Sequence, residues 1–222
     1  MIRVLLVDDE TLVRAGIRLV LRHADDIEVV AEAADGDEAV AQAVRVPVDV
    51  VLLDVRMPGA GGLPAVRRLK DARPQAAVLM LTTFGNEEYV AQALTTGADG
   101  FLLKSSRPEE LIRAVRSAAA GEAVLSPEVT SHVLRALRAS TARDNTETAT
   151  RARNQVATLT DREQAVLGLL GSGLTNSEIA DRLGVETGTV KAHVGRILNK
   201  LGAANRVRAA IIAHEAGLTT SR

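Results

Sequence analysis

The sequence predicts an α/β domain followed by an all-α domain: a doubly wound, five-stranded parallel sheet, a linker and a four-helix unit. Three observations carry this. Short, wholly apolar runs alternate with helix-period segments through the first ~120 residues. A polar stretch without period follows. Beyond it every segment reads helical and none reads as strand.

The strand-length runs are Val4–Val7, Ile27–Ala31, Val48–Leu53, Ala77–Leu81 and Gly100–Leu103. Helix-period segments lie at about 10–22, 36–45, 63–72, 86–96 and 107–120. Strands this apolar are expected in a parallel sheet covered on both faces. Five such repeats give a flavodoxin-like order, in which function sits at the carboxyl ends of the strands. Ser126-Pro127 pairs a capping residue with proline at the first helical position and starts one more helix within 121–139. Residues 140–156 are polar and aperiodic and read as a mobile linker. Thr160 and Glu163 have capping-box spacing. Helices are expected over 161–170, about 176–183, 188–201 and 204–215, with Gly171, Gly173, Gly184 and Gly202 at their ends. The expected organisation is therefore 1–120, a helix and linker over 121–155, and 156–222.

Composition narrows the function. The chain has 222 residues, 46% apolar and 25% charged, ordinary for a globular protein. Cysteine is absent, which excludes disulfides, thiol catalysis and zinc ribbons. No two of the four histidines stand at i, i+4, so a histidine metal cage is not expected. Phe84, Tyr89 and Phe101 are the only aromatics, so the cores must be aliphatic. No apolar run reaches the roughly 18 residues of a membrane span. The apolar N-terminal stretch is too short for a signal peptide, and a cytoplasmic protein is expected.

Polar residues of a particular kind stand at the strand ends. Asp8 and Asp9 follow the first strand, Asp54 the third, Thr82 ends the fourth and Lys104 follows the fifth. In a doubly wound sheet all five converge on one edge. Crowded carboxylates repel, and a hard divalent cation such as Mg²⁺ relieves this with oxygen ligands. A carboxylate there can attack a phosphoryl donor and form an acyl phosphate, with lysine stabilising the transferring group. Any one of these acids alone reads as a solvated loop residue; the five together do not.

Val7-Asp8-Asp9-Glu10, Leu53-Asp54-Val55-Arg56-Met57-Pro58-Gly59, Leu81-Thr82-Thr83 and Gly97-Ala98-Asp99-Gly100-Phe101-Leu102-Leu103-Lys104 resemble the receiver domain of two-component response regulators. The resemblance covers about residues 1–120. It implies that Asp54 is the phosphoacceptor, charged by a sensor histidine kinase. It implies that Asp9 and Asp54 hold Mg²⁺ with the Arg56 backbone carbonyl, Asp8 helping through water. Thr82 takes the place of the switch hydroxyl, Phe101 that of the switch aromatic and Lys104 that of the phosphate-pairing lysine. Phe101 read alone is a core residue. Gly61 and Pro64 depart from the Asp and Glu that relatives often carry.

In the helical half, residues 175–194 form two short helices about a glycine turn, with small-apolar spacing at Ile179, Ala180, Leu183, Val185, Val190 and Val194. That layout suits a helix-turn-helix whose second helix enters the major groove of double-stranded DNA. Between Thr187 and His214 there are five basic residues (Lys191, Arg196, Lys200, Arg206, Arg208) and no acidic one. Leu159-Thr160-Asp161-Arg162-Glu163, Gly173-Leu174-Thr175-Asn176-Ser177-Glu178-Ile179-Ala180 and Thr189-Val190-Lys191-Ala192-His193-Val194 resemble the LuxR-type helix-turn-helix of NarL/FixJ-family regulators. The candidate DNA-facing residues are Thr187, Thr189, Val190, Lys191, His193, Arg196 and Lys200. Lys191 is the first choice, and Val190 is either a thymine-methyl contact or core. Glu186 and Gly188 depart from the family turn, so Thr187 or Thr189 is expected to supply the cap. The family resemblance implies that phosphorylation releases the DNA-binding domain, forms a homodimer, or does both.

Two other classes compete. An aspartate nucleophile with Mg²⁺, threonine and lysine also suits a haloacid-dehalogenase-type phosphatase, but that needs a second carboxylate where Arg56 stands. A small-molecule-gated DNA-binding protein needs a ligand cavity, usually aromatic-lined, which three aromatics do not furnish. The net charge of −1 conceals an asymmetry. Residues 1–120 hold 14 basic and 18 acidic side chains, while 156–222 hold 8 and 6.

Overall fold

A computed structural model of the chain describes residues 1–59, 61–83, 96–122, 124–125 and 145–219. It has two compact units, Met1–Val133 and Leu134–Arg222.

The first unit is built on a parallel sheet. Its strands are β1 (Ile2–Val7), β2 (Ile27–Ala33), β3 (Val50–Asp54), β4 (Ala77–Thr82), β5 (Gly100–Leu103) and β6 (Val124–Leu125), in the order β2-β1-β3-β4-β5-β6. The five expected strands form where the apolar runs stand. The two-residue β6 extends the edge beside β5, and it is too short to leave a sequence pattern. The described helices are α1 (Thr11–Leu21), α2 (Gly36–Arg45), α3 (Gly62–Ala72) and α4 (Pro108–Ala119). The helices expected over 86–96 and within 121–139 fall almost wholly outside the described residues, as do Phe84 and Tyr89.

Strand alternation divides the core between the two faces. Leu5, Val7, Val51, Leu53, Val78, Met80 and Phe101 pack with Ala39, Ala43, Val66 and Leu69 of α2 and α3. Val4, Leu6, Val50, Leu52, Leu79 and Leu81 pack with Leu21 of α1 and Leu111 and Val115 of α4. With both faces covered, polar residues are left to the strand ends. The strand order reverses between β1 and β3, which opens a crevice at their carboxyl ends.

One glycine shapes that crevice. The Gly62 N–H donates to the Val55 carbonyl at 3.1 Å, and a Cβ on Gly62 would stand 2.0 Å from the Asp54 carbonyl oxygen. The chain can pass that close beneath Asp54 only as glycine. Pro64, third residue of α3, sits in the first turn, where an N–H has no partner within the helix.

The second unit contains α5 (Asn145–Val156), α6 (Asp161–Gly171), α7 (Asn176–Leu183), α8 (Thr187–Leu201) and α9 (Arg206–Glu215). The four expected helices are α6–α9. The expected mobile linker is corrected here: residues 145–156 form α5. Ala152 and Val156 lie in the core with Leu167, Ile197, Leu201 and Ile212, and the Gln155 side-chain amide donates to the Leu201 carbonyl at 2.8 Å. Thr160–Glu163 and Thr175–Glu178 both form reciprocal capping boxes. Gly184, at φ +64°, turns the chain between α7 and α8 in the left-handed region. Among the described residues no helix is long and apolar enough to cross a membrane.

Gly62→Ala is expected to destabilise the first unit by about 1–3 kcal/mol, since the obstruction is backbone. Gly16→Ala, in α1 with open space around it, is expected to stabilise by about 0.5–1 kcal/mol. Thermal unfolding of the two variants measures both.

Candidate functional site

Register brings the strand-end residues together. Val7 pairs with Leu53, Asp54 with Leu81 and Thr82 with Leu103. The next residues along β1 and β5 are therefore delivered beside Asp54. Asp8, Asp9 and Asp54 each present a carboxylate oxygen within 4.8 Å of the others. Asp8 and Asp54 are buried and Asp9 is exposed. The Lys104 ammonium reaches between them, 2.7 Å from Asp8 Oδ2, 3.1 Å from Asp54 Oδ2 and 3.7 Å from Glu10 Oε1.

Burial pushes the Asp54 carboxyl above the ordinary aspartate value. Lys104 and the Arg56 N–H work against that rise, and the Asp8 charge adds to it. Burial alone would lower the Lys104 ammonium, but its two carboxylate partners outweigh this and hold it above its usual value. One cation thus faces three carboxylates. Asp8 Oδ2 is buried, and the Lys104 ion pair does not give it a well-directed hydrogen bond. A hard divalent cation fits this all-oxygen, anion-rich donor set.

The loop that carries Asp8 is braced from several sides. The Glu10 N–H donates to Asp8 Oδ1 at 3.0 Å. The Arg14 guanidinium donates to the Asp8 carbonyl and to Glu32. Thr82 is buried, whereas Thr83 is exposed and accepts from Arg56 Nη2 at 3.1 Å. Phe101 is wholly buried within the core on the α2/α3 face, as a lone aromatic in an aliphatic strand is expected to be. Arg14, Glu10 and Gly62 were missed by the sequence reading. Gly62 left a signal in the Gly61-Gly62 pair after the acidic motif, and Glu10 in the acidic run that it ends with Asp8 and Asp9.

In the second unit α8 presents Thr187, Thr189, Lys191 and Arg196 as exposed residues, with His193 half-buried. Of the two readings of Val190 the structure bears out core: it is 0% exposed, which leaves it no surface for a thymine methyl. The expected cap is corrected. Glu186 occupies the N-cap position of α8 with no side-chain cap bond, and Thr187 is already helical. Lys200 and Arg206 are tied to other elements of the fold, and Arg196 donates from Nε to the Ala192 carbonyl at 3.3 Å. Lys200 Nζ stands 2.7 Å from Glu163 Oε2. Arg206 donates to Asn176 Oδ1 at 2.6 Å and to the Leu174 carbonyl. Lys200 and the Thr160 N–H hold the Glu163 carboxyl down to about 2.

Residues 4–116 match the response regulator receiver domain, and residues 157–213 match the bacterial regulatory proteins of the luxR family. The chain is a NarL/FixJ-family response regulator. It is 39% identical to the nitrate/nitrite response regulator protein NarL of Escherichia coli K12, over 96% of this chain and 94% of that one. It is 40% identical to the transcriptional regulatory protein YxjL of Bacillus subtilis, over 98% and 97%. A solved structure, the response regulator ChrA of a heme-sensing two-component system, is 37% identical over 98% of both chains, with a TM-score of 0.52. The regulator therefore joins a receiver to a LuxR-type DNA-binding domain and is a two-component transcription regulator. The phosphatase and ligand-gated readings fall away.

Two outcomes follow for the regulator. Lys104→Met leaves the Asp8 and Asp54 carboxylates buried without their cation. The expected loss of receiver stability is about 3–5 kcal/mol at neutral pH, shrinking as the pH is lowered and Asp54 takes a proton; urea unfolding at two pH values checks it. The Glu163 value is depressed on folding, so its contribution is present above the unfolded carboxyl range. It drains away as pH falls from about 5 towards 2. Acid titration of the parental chain should show this loss, and Glu163→Gln should remove that part of the pH slope.

Proposed function

We propose that Asp54 is the phosphoacceptor and that its modification by a sensor histidine kinase, in the cytoplasm, controls DNA binding by the second unit. The single observation supporting this is the Lys104 ammonium shared between two buried carboxylates at the β1/β3 crevice.

An Asp54 carboxylate oxygen attacks the phosphorus of a phosphohistidine donor. An O–P bond forms, the P–N bond breaks, and the leaving imidazole keeps the electron pair and takes up a proton. Asp8, Asp9 and Asp54, with the Arg56 backbone carbonyl, would hold Mg²⁺, which when bound supplies positive charge to the carboxylates and the phosphoryl oxygens. Lys104 is released from Asp54 as a carboxylate partner and pairs with the phosphoryl group. The Thr82 hydroxyl donates to a phosphoryl oxygen. Phe101 packing follows Thr82, so that the added charge biases a two-state receiver.

In the second unit α8 enters the major groove, with Lys191 and Arg196 as the leading cationic contacts and Thr187, Thr189 and His193 beside them. The phosphorylated form pairs as a homodimer on half-sites separated by about 34 Å or a multiple of it.

Asp54→Asn should take up no phosphoryl group from acetyl phosphate with Mg²⁺. Its DNA affinity, measured by footprinting at fixed salt, should no longer respond to the donor. A donor-dependent gain in the variant equal to that of the parental chain would remove Asp54 from the mechanism.

A further inference from the structure

Lys200 counts in sequence as part of a basic, DNA-facing helix, yet its surroundings describe another task. It lies in the last turn of α8, where a cation also complements the helix dipole. Its ammonium is held on Glu163 Oε2, which also accepts from the Thr160 N–H at 2.9 Å and the Thr160 hydroxyl at 3.1 Å. The Glu163 side chain is 5% exposed. Turning Lys200 outward to a phosphate would strand a buried carboxylate, which is strongly unfavourable.

The tie is also well placed mechanically. Val190, Val194, Ile197 and Leu201 seat α8 against the core through non-directional apolar contacts. The ion pair from α6, with the Gln155 amide on the adjacent Leu201 carbonyl, supplies directional bonds at one end. Lys191 is nine positions away, about 14 Å along the helix. A small rotation permitted at Lys200 is therefore carried to the exposed residues near the α8 N-terminus.

We infer that Glu163 and Lys200 are a positioning pair for DNA recognition: the tie sets the pose of α8, and Lys200 is not a phosphate contact. This rests on α8 being the DNA-reading helix. Lys191 and Arg196 on α8, and Arg208 on α9, are the other exposed cations of the five.

The test is a titration of the full chain, phosphorylated with acetyl phosphate and Mg²⁺, against a duplex that the parental chain so treated selects from a random-sequence pool, across a salt series. Lys200→Met and Glu163→Gln are each expected to weaken binding about 3- to 10-fold. The slope of log affinity against log salt should stay at the parental value in both. Loss of a true phosphate contact lowers that slope by about 0.9 for each protomer bound. Circular dichroism confirms that the variants are folded. If either single variant is not, the double variant Lys200→Met with Glu163→Gln replaces it with the same expectations, because it removes both charges and strands neither, and Lys200, 41% exposed, leaves no hole in the core. A lowered slope or an unchanged affinity in Lys200→Met overturns the inference, as does tighter binding by Glu163→Gln; in each case DNA reading by α8 stands. A parental chain that selects no duplex at all overturns both.

Discussion

Three carboxylates meeting one ammonium at the carboxyl edge of a parallel sheet is the constraint on which the first unit turns. The strands are apolar on both sides, so their interiors accept no charge. Every strand runs in the same direction, so every strand end delivers its polar residue to the same edge. The order reversal between β1 and β3 then sets Asp8 and Asp54 across a crevice, with Lys104 between them. Gly62 lets the chain pass beneath Asp54, and Arg14 braces the loop of Asp8. Asp8 and Asp54, the buried members of a cluster with an excess of negative charge, share the Lys104 ammonium. Such a cluster is sensitive to any group that adds charge at Asp54 and draws the cation away.

The second unit uses its charge differently. Its basic residues look in sequence like a uniform DNA footprint. In the fold Lys200 and Arg206 bind groups on other helices, and exposure does not set them apart cleanly, since Lys200 is exposed as Lys191, Arg196 and Arg208 are. Both engaged residues tie one helix to another, Lys200 joining α8 to α6 and Arg206 joining α9 to the start of α7. Charge count therefore overstates the surface available to phosphates, and part of it serves the geometry of the helices themselves.

Much of this was legible because periodicity and strand-end chemistry are local signals. The five strands, the capping box of Thr160 and Glu163 and the convergence of Asp8, Asp9, Asp54 and Lys104 all follow from residues close in sequence or from topology. Helix α5 was not legible, because the buried residues among its described side chains are Ala152 and Val156, four residues apart, in an otherwise polar stretch. Val190 was ambiguous between core and groove, since apolar residues on a short helix serve either, and only packing decides. The Glu163–Lys200 pair joins residues 37 apart in sequence through tertiary contact, which no spacing rule reveals.

The most direct measurement of the central claim is chemical mapping of the acyl phosphate. The full chain is phosphorylated with acetyl phosphate and Mg²⁺, reduced with borohydride and digested, and the reduced residue is located by mass spectrometry. Homoserine at position 54 is the expected result. Homoserine at position 8 or 9, or phosphate retained on a histidine or hydroxyl side chain with position 54 unreduced, would contradict it.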